Sequence, residues 1–126
     1  MEPCLFCKIV AGEEPAEKVA ETANFIVIKN KYPKAPVHLL VIDKMHHEKS
    51  KTISGKYNTT ISGKFASCSR ASYWDDIIAT SYFAIQKFGL DKTGYKLVVN
   101  GAGYNHFEHE HLHIMGGTKK EPGGET

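Results

Sequence analysis

Histidine recurs at every second position in the stretch His109-Glu110-His111-Leu112-His113, just ahead of the double glycine Gly116-Gly117. In an extended strand alternate side chains share a face, so three imidazoles would line up in one row while Glu110, Leu112 and Ile114 point the other way. Such a row is suited to nucleophilic attack, proton carriage or metal binding. Packing alone gains little from three aligned polar rings, because each one needs hydrogen-bond partners if buried. The other four histidines fall into the same two regions of the chain, with His38, His46 and His47 in one and His106 in the other. Cys4 and Cys7 have the two-residue gap of a thiolate metal pair, and they do not follow a strand in a βαβ unit as a thioredoxin-like redox pair does. Three cysteines, an odd number, argue against a disulfide scaffold. Cys68 has no partner in sequence and carries no role.

These residues need elements to hold them. "CLFCKIVAG" reads as a short helix with a glycine stop, and "NFIVIKN" as a strand closed by the turn-forming "NKYPKAP". "VHLLVI", Val37 to Ile42, is a strand whose continuous apolarity places it centrally in a sheet, with His38 its one polar residue. A polar stretch over residues 48–72 reads as a loop or insertion. Inside it "TISGKY" at Thr52–Tyr57 recurs as "TISGKF" at Thr60–Phe65. From Ser72 to Phe88 apolar residues recur at helical intervals, with Ser72 as cap, Asp75 three residues on, and Gly89 at the end. "GYKLVVN" is a strand ending at Asn100, Gly101 to Gly103 a glycine-rich loop, and "HEHLHIM" the last strand. The sum is an α+β domain: an antiparallel sheet of about five strands with one long and one short helix.

The 126 residues fit one domain, followed by a flexible tail over residues 118–126. Apolar content of 41% and charged content of 24% are those of an ordinary globular chain. A formal charge of +2 with dispersed lysines gives no footprint for nucleic acid, while suiting a small anionic ligand. The start of the chain does not read as a signal peptide, and no stretch approaches the roughly 18 apolar residues of a membrane span. A cytoplasmic protein is expected.

The pattern His-x-His-x-His, preceded by "GYKLVVNGAG", joined to "CLFCKIVAGEEPAEKV" and "APVHLLVIDKMH", resembles the histidine triad family of nucleotide hydrolases and transferases. It is most similar to the branch of nucleotide-binding proteins and purine nucleoside phosphoramidases. The resemblance spans most of the chain outside residues 48–72 and implies the family's fold and a homodimer. It also implies a purine nucleotide or nucleoside phosphoramidate as ligand. By position it makes His111 the nucleophile that attacks the α-phosphorus to give a nucleotidyl-histidine, His113 a phosphate contact, and His38 a buttress. It places Asn30 where relatives hold ribose with an aspartate, and assigns nucleotide contacts to Asn100, Asn105 and His106. Ile28 and Phe25 become candidates for the base pocket, with plain core packing as their other reading. Relatives with the "CxFCKI" start bind structural zinc, which implies Cys4, Cys7, His46 and His109 as ligands, His47 being the alternative to His46.

Two departures stand out. Glu110 replaces an apolar spacer of the triad, so a buried carboxylate must find a cation or the strand must begin at a sheet edge. "NHFEH" stands where many members have Gln-Ser, and His106 is then a donor to a departing amine or a solvent-facing residue. Two other readings compete with the hydrolase: a nucleotide-binding regulatory module with little turnover, and a zinc hydrolase gripping one metal with all three triad imidazoles.

Overall fold

In the computed structural model residues 4–52 and 69–118 are described, with side chains of residues 69–72 excepted. The "TISGKY/TISGKF" repeat, apart from Thr52, lies outside the described residues, as do Cys68 and the tail beyond Thr118. Five strands, β1 (Lys18–Glu21), β2 (Phe25–Lys29), β3 (Val37–Asp43), β4 (Tyr95–Val98) and β5 (His111–Gly116), form one antiparallel sheet in the order β1-β2-β3-β5-β4. The last strand is thus inserted between β3 and β4, which the order of elements along the chain did not reveal. Helices are α1 (Leu5–Ala11), α2 (Lys49–Thr52), α3 (Ser69–Lys87) and α4 (Leu90–Thr93). No described helix is long and apolar enough to cross a membrane.

Each face of the sheet has its own apolar cluster because side chains alternate along the strands. Under α3, Phe25, Val27, Leu39, Val41, Leu112 and Ile114 pack with Tyr73, Ile77 and Ile85. Under α1, Ile26, Ile28, Leu40 and Ile42 pack with Phe6. β3 is covered on both faces, which accounts for its unbroken apolar run.

Several expected boundaries move. α3 begins at Ser69, so Ser72 lies inside the helix and is not its cap. The polar stretch does not run as a loop from residue 48: Lys49–Thr52 forms a helical turn with Lys49 and Thr52 buried, and Glu48 bridges to His109. α2 and α4 are single turns beyond the two helices expected. β1 was not anticipated, since its Lys-Val-Ala-Glu composition is that of a charged edge strand and not of an apolar run. The Gly89 end of α3 holds: the glycine adopts φ +71° two residues after Lys87.

The double glycine after the triad has a geometric cause. A Cβ on Gly116 would sit 2.4 Å from the Gly94 carbonyl oxygen and 3.2 Å from Leu90, while Gly117 takes φ +90°. Gly116→Ala should therefore force β4 and β5 apart and cost about 1–3 kcal/mol in a urea unfolding titration. Gly101→Ala, with open space at its Cβ, should change stability by less than about 0.5 kcal/mol.

Candidate functional site

β3 and β5 bring four histidines to the α1 face. His111 and His113 pair with Ile42 and Leu40, and His38 with Met115, so all three rings share the side on which Leu40 and Ile42 meet Phe6. His109 lies two residues before β5, in a bridge to Glu48. Phe6 sets its ring edge-on to both His109 (centroids 5.8 Å apart) and His111 (4.9 Å). Phe107 stands behind at 6.3 Å from His111. Neither phenylalanine was singled out by sequence reasoning, although Phe6 sits inside the Cys4–Cys7 motif.

Hydrogen bonds to backbone groups fix the tautomers. A carbonyl only accepts, so His111 carries its proton on Nδ1, which donates to the His109 carbonyl at 2.8 Å. Its Nε2 therefore bears the lone pair and meets no hydrogen-bond partner among the described residues. At His38, Nδ1 accepts the Lys34 backbone N–H at 3.0 Å, leaving Nε2–H to donate to His113 Nδ1 at 3.0 Å. His113 then holds its own proton on Nε2. Asn30 places Nδ2 3.1 Å from the same His38 nitrogen, and its Oδ1 accepts the Tyr32 N–H at 2.9 Å.

Burial keeps these rings neutral. It pushes His111 down to about 4, helped by the Lys49 charge and opposed by the bond to the His109 carbonyl. Burial also carries His113 to about 4, with His111 and His38 adding to the effect. His38 is lowered by burial and then by Lys34.

His109 turns to a different set of partners. Its Nε2–H donates to the Asp43 carbonyl at 2.6 Å, which leaves Nδ1 bare at 3.3 Å from Cys4 Sγ and 3.5 Å from Cys7 Sγ. His46 Nδ1 stands 3.3 Å from Cys7 Sγ. The ligand atoms of Cys4, Cys7, His46 and His109 all lie within 4.8 Å of one another. Two sulfurs and two imidazole nitrogens so gathered could hold a metal ion, and the Asp43 carbonyl sets the tautomer that ligation by His109 requires. His47, the alternative ligand, is instead buried against the Asp43 carboxylate at 2.6 Å. Since His109 faces the cysteines, His111 its own neighbour's carbonyl and His113 His38, the three rings do not converge on a single ion.

The remaining expected residues divide. Ile28 lies on the α1 face, whereas Phe25 is packed under α3 against Tyr73, so the alternation of β2 bars the two from sharing a pocket. Asn105 is spent on its own loop: Oδ1 accepts the Gly103 N–H, and Nδ2 donates to the Phe107 carbonyl and to Glu108. His106 is exposed, and Asn100 is half-buried two residues past the end of β4.

Known proteins resemble this chain over most of its length. An uncharacterised HIT-like protein of Chlamydia trachomatis is 37% identical over 115 residues, covering 90% of this chain and 91% of that protein. The chain belongs to the histidine triad (HIT) family. A family profile described as scavenger mRNA decapping enzyme C-term binding matches residues 3–62. A HIT family hydrolase from Legionella pneumophila superposes with a TM-score of 0.70 at 32% identity, covering 91% of this chain and 93% of that one. A histidine triad nucleotide-binding protein from Candida albicans gives 0.73 at 25% identity, covering 98% and 81%.

In this HIT protein the neutrality of His113 has a measurable sign. Its folded value lies below the ordinary 6.5, so its contribution to stability is complete above about pH 6.5 and is lost as the pH falls toward 4. The His113 ring resonances should stay flat in an NMR titration from about pH 8 to pH 5. An inflection near 6.5 would show the ring solvated and its bond to His38 absent.

Proposed function

We propose that this HIT protein is a hydrolase that cleaves nucleoside 5′-phosphoramidates or related nucleoside monophosphate derivatives, with a purine base preferred. The observation that carries the reading is the His111 tautomer: Nδ1–H is held by the His109 carbonyl and Nε2 is left as a lone pair. The names borne by the Legionella hydrolase and the Candida nucleotide-binding protein support the reaction class and the ligand.

In the proposed reaction His111 Nε2 attacks the α-phosphorus and forms a P–N bond as the bond to the leaving amine breaks. The amine departs with the bonding pair and takes a proton from the exposed His106. Water then attacks phosphorus and returns a proton to His106, the bond from phosphorus to Nε2 breaks with its pair going back to the nitrogen, and the nucleoside monophosphate leaves. The His113 Nε2–H donates to a nonbridging phosphate oxygen, where negative charge gathers. His38 acts by holding His113 in that tautomer. The Asn30 amino group serves the ribose hydroxyls, with Asn100 at the phosphate. Ile28 joins Ile9, Val10 and Ile26 on the apolar wall of a cavity of about 390 Å³ whose rim carries Glu14, Lys18, Glu21 and Lys44, and the base is proposed to rest against that wall.

Zinc is the proposed occupant of Cys4, Cys7, His46 and His109. Four protein ligands leave no open position, so the ion would tie α1 to the sheet. A homodimer is proposed through α3 and β4, where Tyr82, Phe83, Tyr95 and Val99 are exposed and the Tyr82 and Tyr95 rings meet at 5.8 Å.

His111→Ala should lower kcat on a fluorogenic adenosine phosphoramidate by about 1,000-fold or more, while AMP affinity measured by calorimetry changes less than about fivefold. Turnover at the wild-type rate would remove the assigned nucleophile. Elemental analysis should find one zinc per chain. Its removal by a chelator should lower Tm by about 10 °C or more, and Cys7→Ser should lose the metal. A purified chain that takes up no zinc would contradict the scaffold role.

A further inference from the structure

Glu110, the charged spacer between the first two triad histidines, is 1% exposed and accepts from three donors. Lys49 Nζ reaches its Oε2 at 2.5 Å and the Thr52 hydroxyl its Oε1 at 2.5 Å, while the backbone N–H of His111 donates to Oε2 at 3.1 Å. Lys49 is itself buried and donates a second hydrogen bond, at 2.9 Å, to the His111 carbonyl. Both backbone groups of His111 are therefore held by one buried ion pair.

The reason lies in the sheet register. Backbone groups of successive residues in an antiparallel strand point alternately to its two neighbours. The Asp43 N–H donates to the Glu110 carbonyl, so the next residue, His111, turns its N–H and carbonyl toward β4. But β4 ends at Val98, opposite His113, and the chain departs into the glycine loop. The ladder stops two residues short of His111, which buries a backbone donor and acceptor without a strand to bond them. Glu110 and Lys49 take the place of the missing strand.

We propose that Glu110 and Lys49 are positioning residues for His111, holding its backbone where β4 no longer reaches so that the Nε2 lone pair stays aimed. The catalytic part of this inference rests on the reading of His111 as nucleophile; the structural part does not. Neither side chain hydrogen-bonds the imidazole of His111; the Lys49 charge acts on the ring through space, and the grip of the pair is on the His111 backbone N–H and carbonyl. A shift of the backbone by about an ångström is enough to cost about 100-fold in rate.

Glu110→Leu alone strands the Lys49 charge in the core and is prone to misfold. The informative variant is therefore Glu110→Leu with Lys49→Met, which removes both charges and keeps apolar volume. Two quantities are read on folded protein with its metal content checked: hydrogen exchange at the His111 amide, and kcat against KM on the adenosine phosphoramidate. The expected result is a His111 amide that exchanges at least about 10-fold faster, with kcat down about 10- to 100-fold and KM within about twofold. A folded double variant with wild-type exchange at His111, or with wild-type kcat, would overturn the proposal. If the wild-type chain itself shows no turnover, the hydrolase reading fails separately, and amide exchange alone decides whether the ion pair holds the backbone.

Discussion

The site depends on one hydrogen bond, from His111 Nδ1–H to the carbonyl of His109 two residues earlier. A neutral imidazole has one donor and one acceptor nitrogen, and this bond decides which is which. Burial does the complementary work by disfavouring the cation. Every other feature of the site either holds the two ends of this bond or surrounds it. Phe6 and Phe107 wall the ring, the Glu110–Lys49 pair grips its backbone, and β3 and β4 frame the strand that carries it.

His109 links two parts of the structure that are separate in chemistry. Its backbone carbonyl fixes the His111 tautomer, while its side chain faces Cys4 and Cys7. Asp43 is the hinge between them and the buried polar layer beneath: its carbonyl holds His109, and its carboxylate holds His47 and Tyr73. An ion held by Cys4, Cys7, His46 and His109 would thus anchor the residue from which the proposed nucleophile takes its orientation. Such an ion would contribute through rigidity, without touching substrate.

Much of this was legible in the sequence because periodicity is a local property. The alternation of His109, His111 and His113, the apolar run of β3 and the helical spacing of α3 each report a face directly. The Cys4–Cys7 pair was readable for the same reason, since a two-residue gap is a spacing, while His46 and His109 joined it only through the family resemblance. What remained hidden was set by tertiary partners. Nothing near Lys49 in sequence announces that it will be buried against Glu110, although the carboxylate alone shows that some cation is needed. β1 escaped because an edge strand of charged residues lacks an apolar signature. Phe25 and Ile28 looked equivalent until β2 assigned them opposite faces, and Asn105 looked available until its amide was found bonded within its own loop.

The tautomer of His111 is the most direct test. Long-range ¹⁵N–¹H correlation spectra of histidine-labelled protein at neutral pH separate protonated from bare ring nitrogens. The account predicts a protonated Nδ1 and an unprotonated Nε2 for His111. A proton on Nε2, or on both nitrogens, would leave no lone pair on Nε2 to attack phosphorus and would contradict it.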